Sequence, residues 1–315
     1  MQETLFGEEI INAKPFLKWA GGKKQVKNCI GDILSHKLKG SIGNYFEPFL
    51  GGGAVFFHLL NKKYSFNNVY LGDINKELIL TWRVVQAKPY ELISCLEDFS
   101  EKYKEKSLEC QKKYYYDIRD EFNDNLKGFD YDKLYDEQIL RASQMIFLNK
   151  TCFNGLYRVN LSGEFNVPMG KYKNPLICDK ENIIKVHDAL KDVNIYCQDY
   201  SKFLDLIDEN SFVYLDPPYL PIKKTSFTNY DSSGFGVKEQ IELSQFCKSI
   251  DDKGAKFILS NSDPKNYDSS CNFFKDNYGG LGLKVCNHKK IMVRRSINSK
   301  GNKRGPINEL LIYNF

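Results

Sequence analysis

A chain of 315 residues with 42% hydrophobic and 27% charged residues has the composition of a globular protein, and its length predicts two units or one large unit with an insertion. No apolar run approaches the roughly 18 residues of a membrane span, and residues 1–14 show no basic segment leading into an apolar one, so neither a membrane protein nor a secreted one is expected. The formal net charge of +5 is uninformative as a total, but residues 284–304 carry eight Lys/Arg and no acid, and residues 14–39 carry seven Lys against Asp32. Two basic ends would form one electropositive face if folding joined them.

Nine cysteines, odd in number and without a Cys-x-x-Cys pair, read as reduced thiols and place the chain in the cytoplasm. The four histidines lie far apart, so zinc-ligand spacing is missing and no metal site is expected.

In chain order, residues 18–24 (KWAGGKK) first suggest a phosphate loop. Leu17 stands at its first glycine position and Lys24 where Ser or Thr is required, which argues against nucleotide hydrolysis. An aromatic, two glycines and Lys23 suit a ligand with a π-system and a carboxylate; Trp19 in the core is the other reading. Next comes a predicted strand at 44–47, the turn Gly51-Gly52-Gly53, a helix at 54–60 and a strand at 68–71 ending at Asp73. Glycines let a ligand approach the backbone, and a carboxylate 20 residues beyond Gly53 can accept both ribose hydroxyls of a nucleoside. A dinucleotide fold presents the same features, although its third glycine would fall at Phe56. A tight turn with a solvated Asp73 is the plain alternative.

Residues 89–150 are rich in Lys, Glu, Asp and Tyr at helical spacing. After them, 156–160 and 164–167 alternate around Ser162-Gly163 and predict a β-hairpin. The run 211–215 is a buried-strand pattern stopped by Asp216-Pro217-Pro218-Tyr219, followed by a helix at 238–251 and a strand at 255–260. The expected fold is α/β, with a doubly wound, mostly parallel sheet. Residues 1–79 and 181–315 would form one discontinuous unit, with 80–180 inserted as a mainly helical unit bearing the hairpin.

The Asp-Pro-Pro-Tyr strand end is the most specific feature. Pro217 keeps Asp216 extended, two prolines remove two backbone donors, and strand carboxyl ends are where open α/β sheets bind substrates. A carboxylate, a carbonyl and a ring in one cup suit a planar amino group on an aromatic ring, such as the N6 amine of adenine. The Asp216 side chain and the Pro217 carbonyl can take its two hydrogens and favour a tetrahedral nitrogen, with the base stacked on Tyr219. Proximity and electrostatics would then favour in-line attack on an electron-deficient methyl. A chance Pro-Pro turn is the alternative.

Taken together, the blocks FLKWAGGKK (16–24), FEPFLGGGAVFFHL (46–59), GDINKELI (72–79), NGLYRVNLSGEFNVPMG (154–170), DPPY (216–219), LSNSD (259–263) and RSINSKGNKRGPINELLI (295–312) resemble those of the Dam-like, S-adenosylmethionine-dependent DNA adenine-N6 methyltransferases, in the same order over nearly the whole length. The resemblance implies a Rossmann-like catalytic domain in which Trp19, Lys23, Phe46, Gly51, Gly53, Asp73, Asp199, Tyr200 and Asp216 bind S-adenosylmethionine. Asp216, Pro217, Pro218 and Tyr219 would serve the target amine. It places Leu156, Arg158 and Pro168 at base-reading positions, adds Asn160 to the DNA-binding residues, and puts Arg295, Lys300 and Arg304 on phosphates. Arg158 suits a bidentate contact to guanine; a solvated hairpin arginine is the alternative. The loop 221–236 would close over an extruded base.

The implied partner is double-stranded DNA, with GATC as the site that the hairpin most resembles; a cognate restriction endonuclease acting on the same site is a second partner the resemblance brings into view. The implied location is the bacterial cytoplasm or nucleoid, or a phage-encoded equivalent. Rival readings are a methyltransferase for another planar amine (an RNA base or a protein glutamine), a DNA-binding homologue without catalysis, and, weakest, a nicotinamide dehydrogenase.

Overall fold

The computed structural model describes residues 12–19, 24–38, 41–124, 126, 128–219, 235–266, 268–283, 287–294 and 306–315. Its sheet is organised around the two apolar runs that end in motifs. Strand β4 (Ser211–Leu215) is buried at every position, as a parallel strand covered on both faces must be. It pairs with β1 (Ser41–Glu47), Phe46 opposite Val213. From β1 the sheet extends through β2 (Ser65–Asp73) and β3 (Val193–Cys197), all parallel. On the far side of β4 lies β5 (Lys256–Ser262), also parallel, and then β7 (Pro306–Tyr313), antiparallel both to β5 and to the edge strand β6 (Asn287–Arg294). The order β3-β2-β1-β4-β5-β7-β6 reverses its direction of growth between β1 and β4. Such a switch point opens a crevice at the strand carboxyl ends.

Alternate residues of each strand enter different cores. Tyr45, Phe212, Tyr214 and Leu311 join one buried cluster, whereas Phe46, Val213, Leu215, Leu310 and Ile312 join another. The first is covered by α1 (Lys24–Leu38), α2 (Ala54–Asn61), α3 (Lys76–Ala87) and the helices beyond it; the second by α8 (Val237–Asp252) and α9 (Phe273–Gly279). The sheet is therefore doubly wound, as expected. Helix α1 also packs against β6, which brings parts of the two basic segments side by side.

The stretch after Pro89 is helical: α4 (Pro89–Lys104), α5 (Leu108–Asp124) and α6 (Asp136–Thr151), with α7 (Lys180–Ala189) leading back to β3. Leu96, Tyr103 and Phe147 of these helices share the buried cluster of the sheet face. One buried ion pair joins the layers. Arg141 of α6 donates from Nη2 to Glu77 Oε1 at 2.6 Å and from Nε to Oε2 at 2.9 Å, and its Nη1 donates to the Phe122 carbonyl at 3.0 Å. The two residues are 2% and 6% exposed, so each charge relies on the other for its solvation.

The predicted hairpin reverses at Ser162-Gly163 as expected, but no ladder forms. It consists of two isolated antiparallel bridges, Val159 with Phe165 and Cys152 with Met169. The returning arm buries Phe165 and Val167, while Arg158, Val159, Asn160 and Leu161 of the outgoing arm are exposed. With no third strand over that arm, pairing stops after a few bonds.

Removing one partner of a buried pair strands the other. Arg141→Ala is expected to lower the unfolding free energy by about 3–5 kcal/mol, read from urea denaturation. A loss under about 1 kcal/mol, the level of an exposed pair, would show that water solvates Glu77.

Candidate active site

The first wall is the glycine turn after β1. Gly51 (φ +49°) and Gly53 (φ +66°) take left-handed backbone. A Cβ on Gly51 would sit 2.7 Å from Trp19 Cδ1, and one on Gly53 2.6 Å from Trp82 Cη2. Buried Trp82 also donates its indole N–H to the Gly51 carbonyl at 3.1 Å. Asp73, at the end of β2, accepts the Gly51 amide on Oδ2 and the Asn75 amide on Oδ1, both at 3.0 Å. Burial raises its pKa, and the amides of Asn75, Gly51 and Ile74 offset part of that rise.

The second wall is the turn after β4. Ser260 of β5 donates to Asp216 Oδ1 at 2.6 Å, and the Tyr214 hydroxyl lies 3.1 Å from Ser260 Oγ. Because the Ser260 proton is committed to the carboxylate, Tyr214 must be the donor to Ser260, and a directed chain Tyr214 to Ser260 to Asp216 results. Gln240 Nε2 donates to the Pro218 carbonyl at 2.8 Å, tying the proline turn to α8. Burial, and then the Asp216 charge, keep the Tyr219 phenol protonated.

Between the walls lies Glu47, only 2% exposed. Its Oε2 accepts from the Tyr45 hydroxyl at 2.7 Å and the Phe56 amide at 3.1 Å. Burial is the main cause that lifts its pKa to about 8, with the nearby Asp216 charge adding to it. One cavity of about 1360 Å³ touches Trp19, Glu47, Gly51, Asp73, Tyr157, Asp199, Tyr200 and Asp216 to Tyr219. That exceeds the roughly 300–1,000 Å³ of a single-ligand pocket, so two ligands can meet in it. Four rings gather on one side: Tyr200 stacks on Phe49 at 5.2 Å and meets Phe246 edge-on at 5.1 Å, while Phe235 meets Phe49 edge-on at 5.9 Å.

A family model described as D12 class N6 adenine-specific DNA methyltransferase matches residues 19–295. The chain belongs to this family. Among its relatives, the type II methyltransferase M.MjaIII of Methanocaldococcus jannaschii is 45% identical over 308 residues, which cover 97% of this chain and 100% of that one. The type II methyltransferase M1.LlaDCHI of Lactococcus lactis subsp. cremoris is 35% identical, covering 99% of each chain. The DNA adenine methylase of Escherichia coli K12 is 31% identical, covering 95% of this chain and 94% of that one. This is a site-specific adenine methyltransferase acting on DNA, and it depends on S-adenosylmethionine. The walls fit that cofactor: an aromatic group for a purine, a half-buried carboxylate for ribose, and glycines whose missing Cβ atoms leave the backbone approachable.

The methyltransferase brings most of the catalytic and cofactor candidates into one cavity, and Trp19 stands in its wall rather than in the core. Two cofactor candidates lie elsewhere. The Phe46 ring is fully buried, stacked on Tyr70 at 4.5 Å within the α8 cluster, because the preceding and following residues of β1 face the other side. Gly53 packs on Trp82, so it serves the shape of the turn. Lys23 lies outside the described residues, as do Arg295, Lys300 and Arg304 and, except Phe235 and Gly236, the loop 221–236.

On the hairpin, Arg158 and Pro168 are exposed and Leu156 is half-buried. The Asn166 side chain and carbonyl accept from Arg158 Nε and Nη2 at 2.7 and 3.2 Å. Asn160 is spent on the tip: its Oδ1 accepts the Ser162 and Glu164 amides at 3.0 and 2.9 Å, and its Nδ2 donates to Glu164 Oε2 at 2.6 Å. The side chain therefore shapes the turn.

Glu47, Ser260 and Phe49 stand inside quoted motifs yet drew no role from sequence; strand-end position was the available signal for Glu47. Its titration yields a check. Folded Glu47 keeps its proton up to about pH 8, whereas in the unfolded chain it ionises near pH 4.3. The native state thus binds the extra proton between those values, and stability falls as pH rises through that window. Glu47→Gln, which keeps an acceptor for Tyr45 and Phe56, is expected to gain in melting temperature relative to wild type from pH 5 to pH 8. A constant difference across that range would show that Glu47 ionises normally.

Proposed function

We propose that the enzyme methylates the N6 amine of an adenine flipped out of duplex DNA, within GATC, with Asp216 as the acceptor that prepares the amine. The observation that carries this reading is the shared cavity in which the glycine turn and the Asp216 to Tyr219 cup face one another. Asp73 would hold the ribose of S-adenosylmethionine, with Trp19 and Gly51 beside it and Asp199 and the Tyr200–Phe49 rings toward its purine. When bound, the cofactor supplies an electron-deficient methyl group.

The chain's own residues do the rest. Asp216 accepts a hydrogen of the target amine and draws the nitrogen lone pair out of conjugation with the ring, and the Pro217 carbonyl is placed to take the second hydrogen. Ser260 fixes the carboxylate, so no reorganisation is needed as charge develops. Tyr219 offers its ring to the extruded base, whose unstacking costs a few kcal/mol. Glu47, neutral below about pH 8, adds no second negative charge beside Asp216 at neutral pH.

The helical layer at 80–180 is read as the target-recognition unit. Arg158 points out of it with Nε and one Nη2 hydrogen held by Asn166, leaving the Nη1–Nη2 edge for the two acceptors of guanine in the major groove. Lys289, exposed on the edge strand β6, offers a phosphate contact that positions the duplex. The preference for GATC rests on the resemblance of the hairpin to that of DNA adenine methylases. Among the described residues no helix is long and apolar enough to cross a membrane, which agrees with an enzyme working on DNA in the cytoplasm. The two type II relatives favour a restriction endonuclease of the same site as its companion.

Asp216→Ala is expected to lower methyl transfer to duplex DNA at least 1,000-fold, about 4 kcal/mol, with an unchanged melting temperature; retained transfer would remove Asp216 from the chemistry. Single-molecule sequencing of DNA from cells expressing the wild type is expected to show N6-methyladenine in GATC, and another motif would overturn the site. Arg158→Ala is expected to relax that preference at one base pair, by roughly 1–3 kcal/mol of discrimination. An unchanged motif would show that another residue reads the base.

A further inference from the structure

Asn149, near the end of α6, is 1% exposed and uses its whole amide to join distant Lys18 to the turn that follows its own helix. Its Oδ1 accepts the Lys18 amide at 2.8 Å, and its Nδ2 donates to the Lys18 carbonyl at 2.8 Å and to the Gly155 carbonyl at 3.0 Å. This pattern also fixes the amide orientation, because a flipped group would face carbonyls with its oxygen. Gly155 (φ +63°) lies so close that a Cβ there would be 2.4 Å from Lys18 Cδ. One residue beyond Lys18 and two beyond Gly155, the Trp19 indole stacks on Tyr157 with centroids 5.5 Å apart and planes 24° from parallel. Tyr157 then packs against Phe165 on the returning arm of the hairpin at 5.9 Å. Trp19 and Tyr157 both line the cofactor cavity.

We infer that Asn149 and Tyr157 are positioning residues that set the cofactor wall and the root of the hairpin as one body, so that filling the cavity and docking the duplex strengthen each other. Trp19 is confined between Gly51 and Tyr157. A ligand that orders Trp19 therefore orders Tyr157, and Leu156 and Arg158 flank that residue in the chain. Coupling of this kind is reciprocal: the factor by which duplex tightens the cofactor site equals the factor by which the cofactor site tightens duplex.

The inference rests on the proposed reading of the hairpin, and the test separates the two. Calorimetry on the full-length enzyme gives the Kd of S-adenosylhomocysteine alone and with a saturating duplex that carries the site found by sequencing. Wild type is expected to show a ratio of at least about fivefold. Tyr157→Leu and Asn149→Ala should bring it to within about twofold of one, and Tyr157→Phe, which keeps the ring, should retain it.

A wild-type ratio of one overturns the inference, as does a folded Tyr157→Leu that keeps the wild-type ratio. Tyr157→Leu decides if Asn149→Ala does not fold, since Tyr157 is only half-buried. Equal loss in Tyr157→Phe would overturn the ring stack as the link. Should Arg158→Ala leave site preference unchanged, the hairpin reading falls whatever the ratio is.

Discussion

The hydrogen bond from the Gly51 amide to Asp73 is the constraint on which the site depends. It spans two neighbouring parallel strands at their carboxyl ends and decides how the chain leaves β1. Once the turn is fixed, its bare glycine faces take Trp19 on one side and Trp82 on the other. Trp82 carries the constraint into α3, whose Glu77 carries it to α6 through Arg141. The carboxylate that shapes the turn also lines the cavity.

Three acidic side chains stand at the switch point, and they do not behave alike. Asp73 is offset by backbone amides, Asp216 by the hydroxyl chain through Ser260, and Glu47 mainly by keeping its proton. Packing like charges into one crevice is tolerable only with such a division. It leaves an uncharged Glu47 beside the Asp216 carboxylate at neutral pH. The rings around Tyr200 need no such compensation, since stacking places apolar area against apolar area.

Much of this was legible because glycine and proline announce special backbone. Gly51 and the Pro217-Pro218 pair marked the two turns of the crevice, and Asp73 and Asp216 were placed by standing at the ends of apolar runs. The sheet class followed from strand, turn, helix and strand in two separate segments. Other features depend on side-chain direction or distant contact. Period-two alternation alone does not say which of Tyr45 and Phe46 faces which side, and only the packed sheet shows the Phe46 ring within the α8 cluster. Asn149 meets Lys18 across 131 residues, a contact no local pattern contains. The five-residue β3 is mostly half-exposed and gave little periodic signal. Helix α1 carries one in Val26, Ile30, Ile33 and Leu34, directly after the glycine-lysine motif. Strands β6 and β7 flank a basic segment that reads as a surface loop.

The bridging pattern of residues 152–170 divides this segment into parts with different freedom to change. At its base, Cys152, Gly155 and Tyr157 are buried or locked against Asn149, Lys18 and Trp19, so substitutions there disturb the cavity wall as well. At its tip, residues 158–166 are held mainly by each other, through Asn160, Glu164 and Asn166. Such a tip can be exchanged between related enzymes while the chemistry beneath it stays intact. Change at the tip is thereby uncoupled from the packing of the cavity wall beneath it, which the bonds of Asn149 and the Trp19–Tyr157 stack hold.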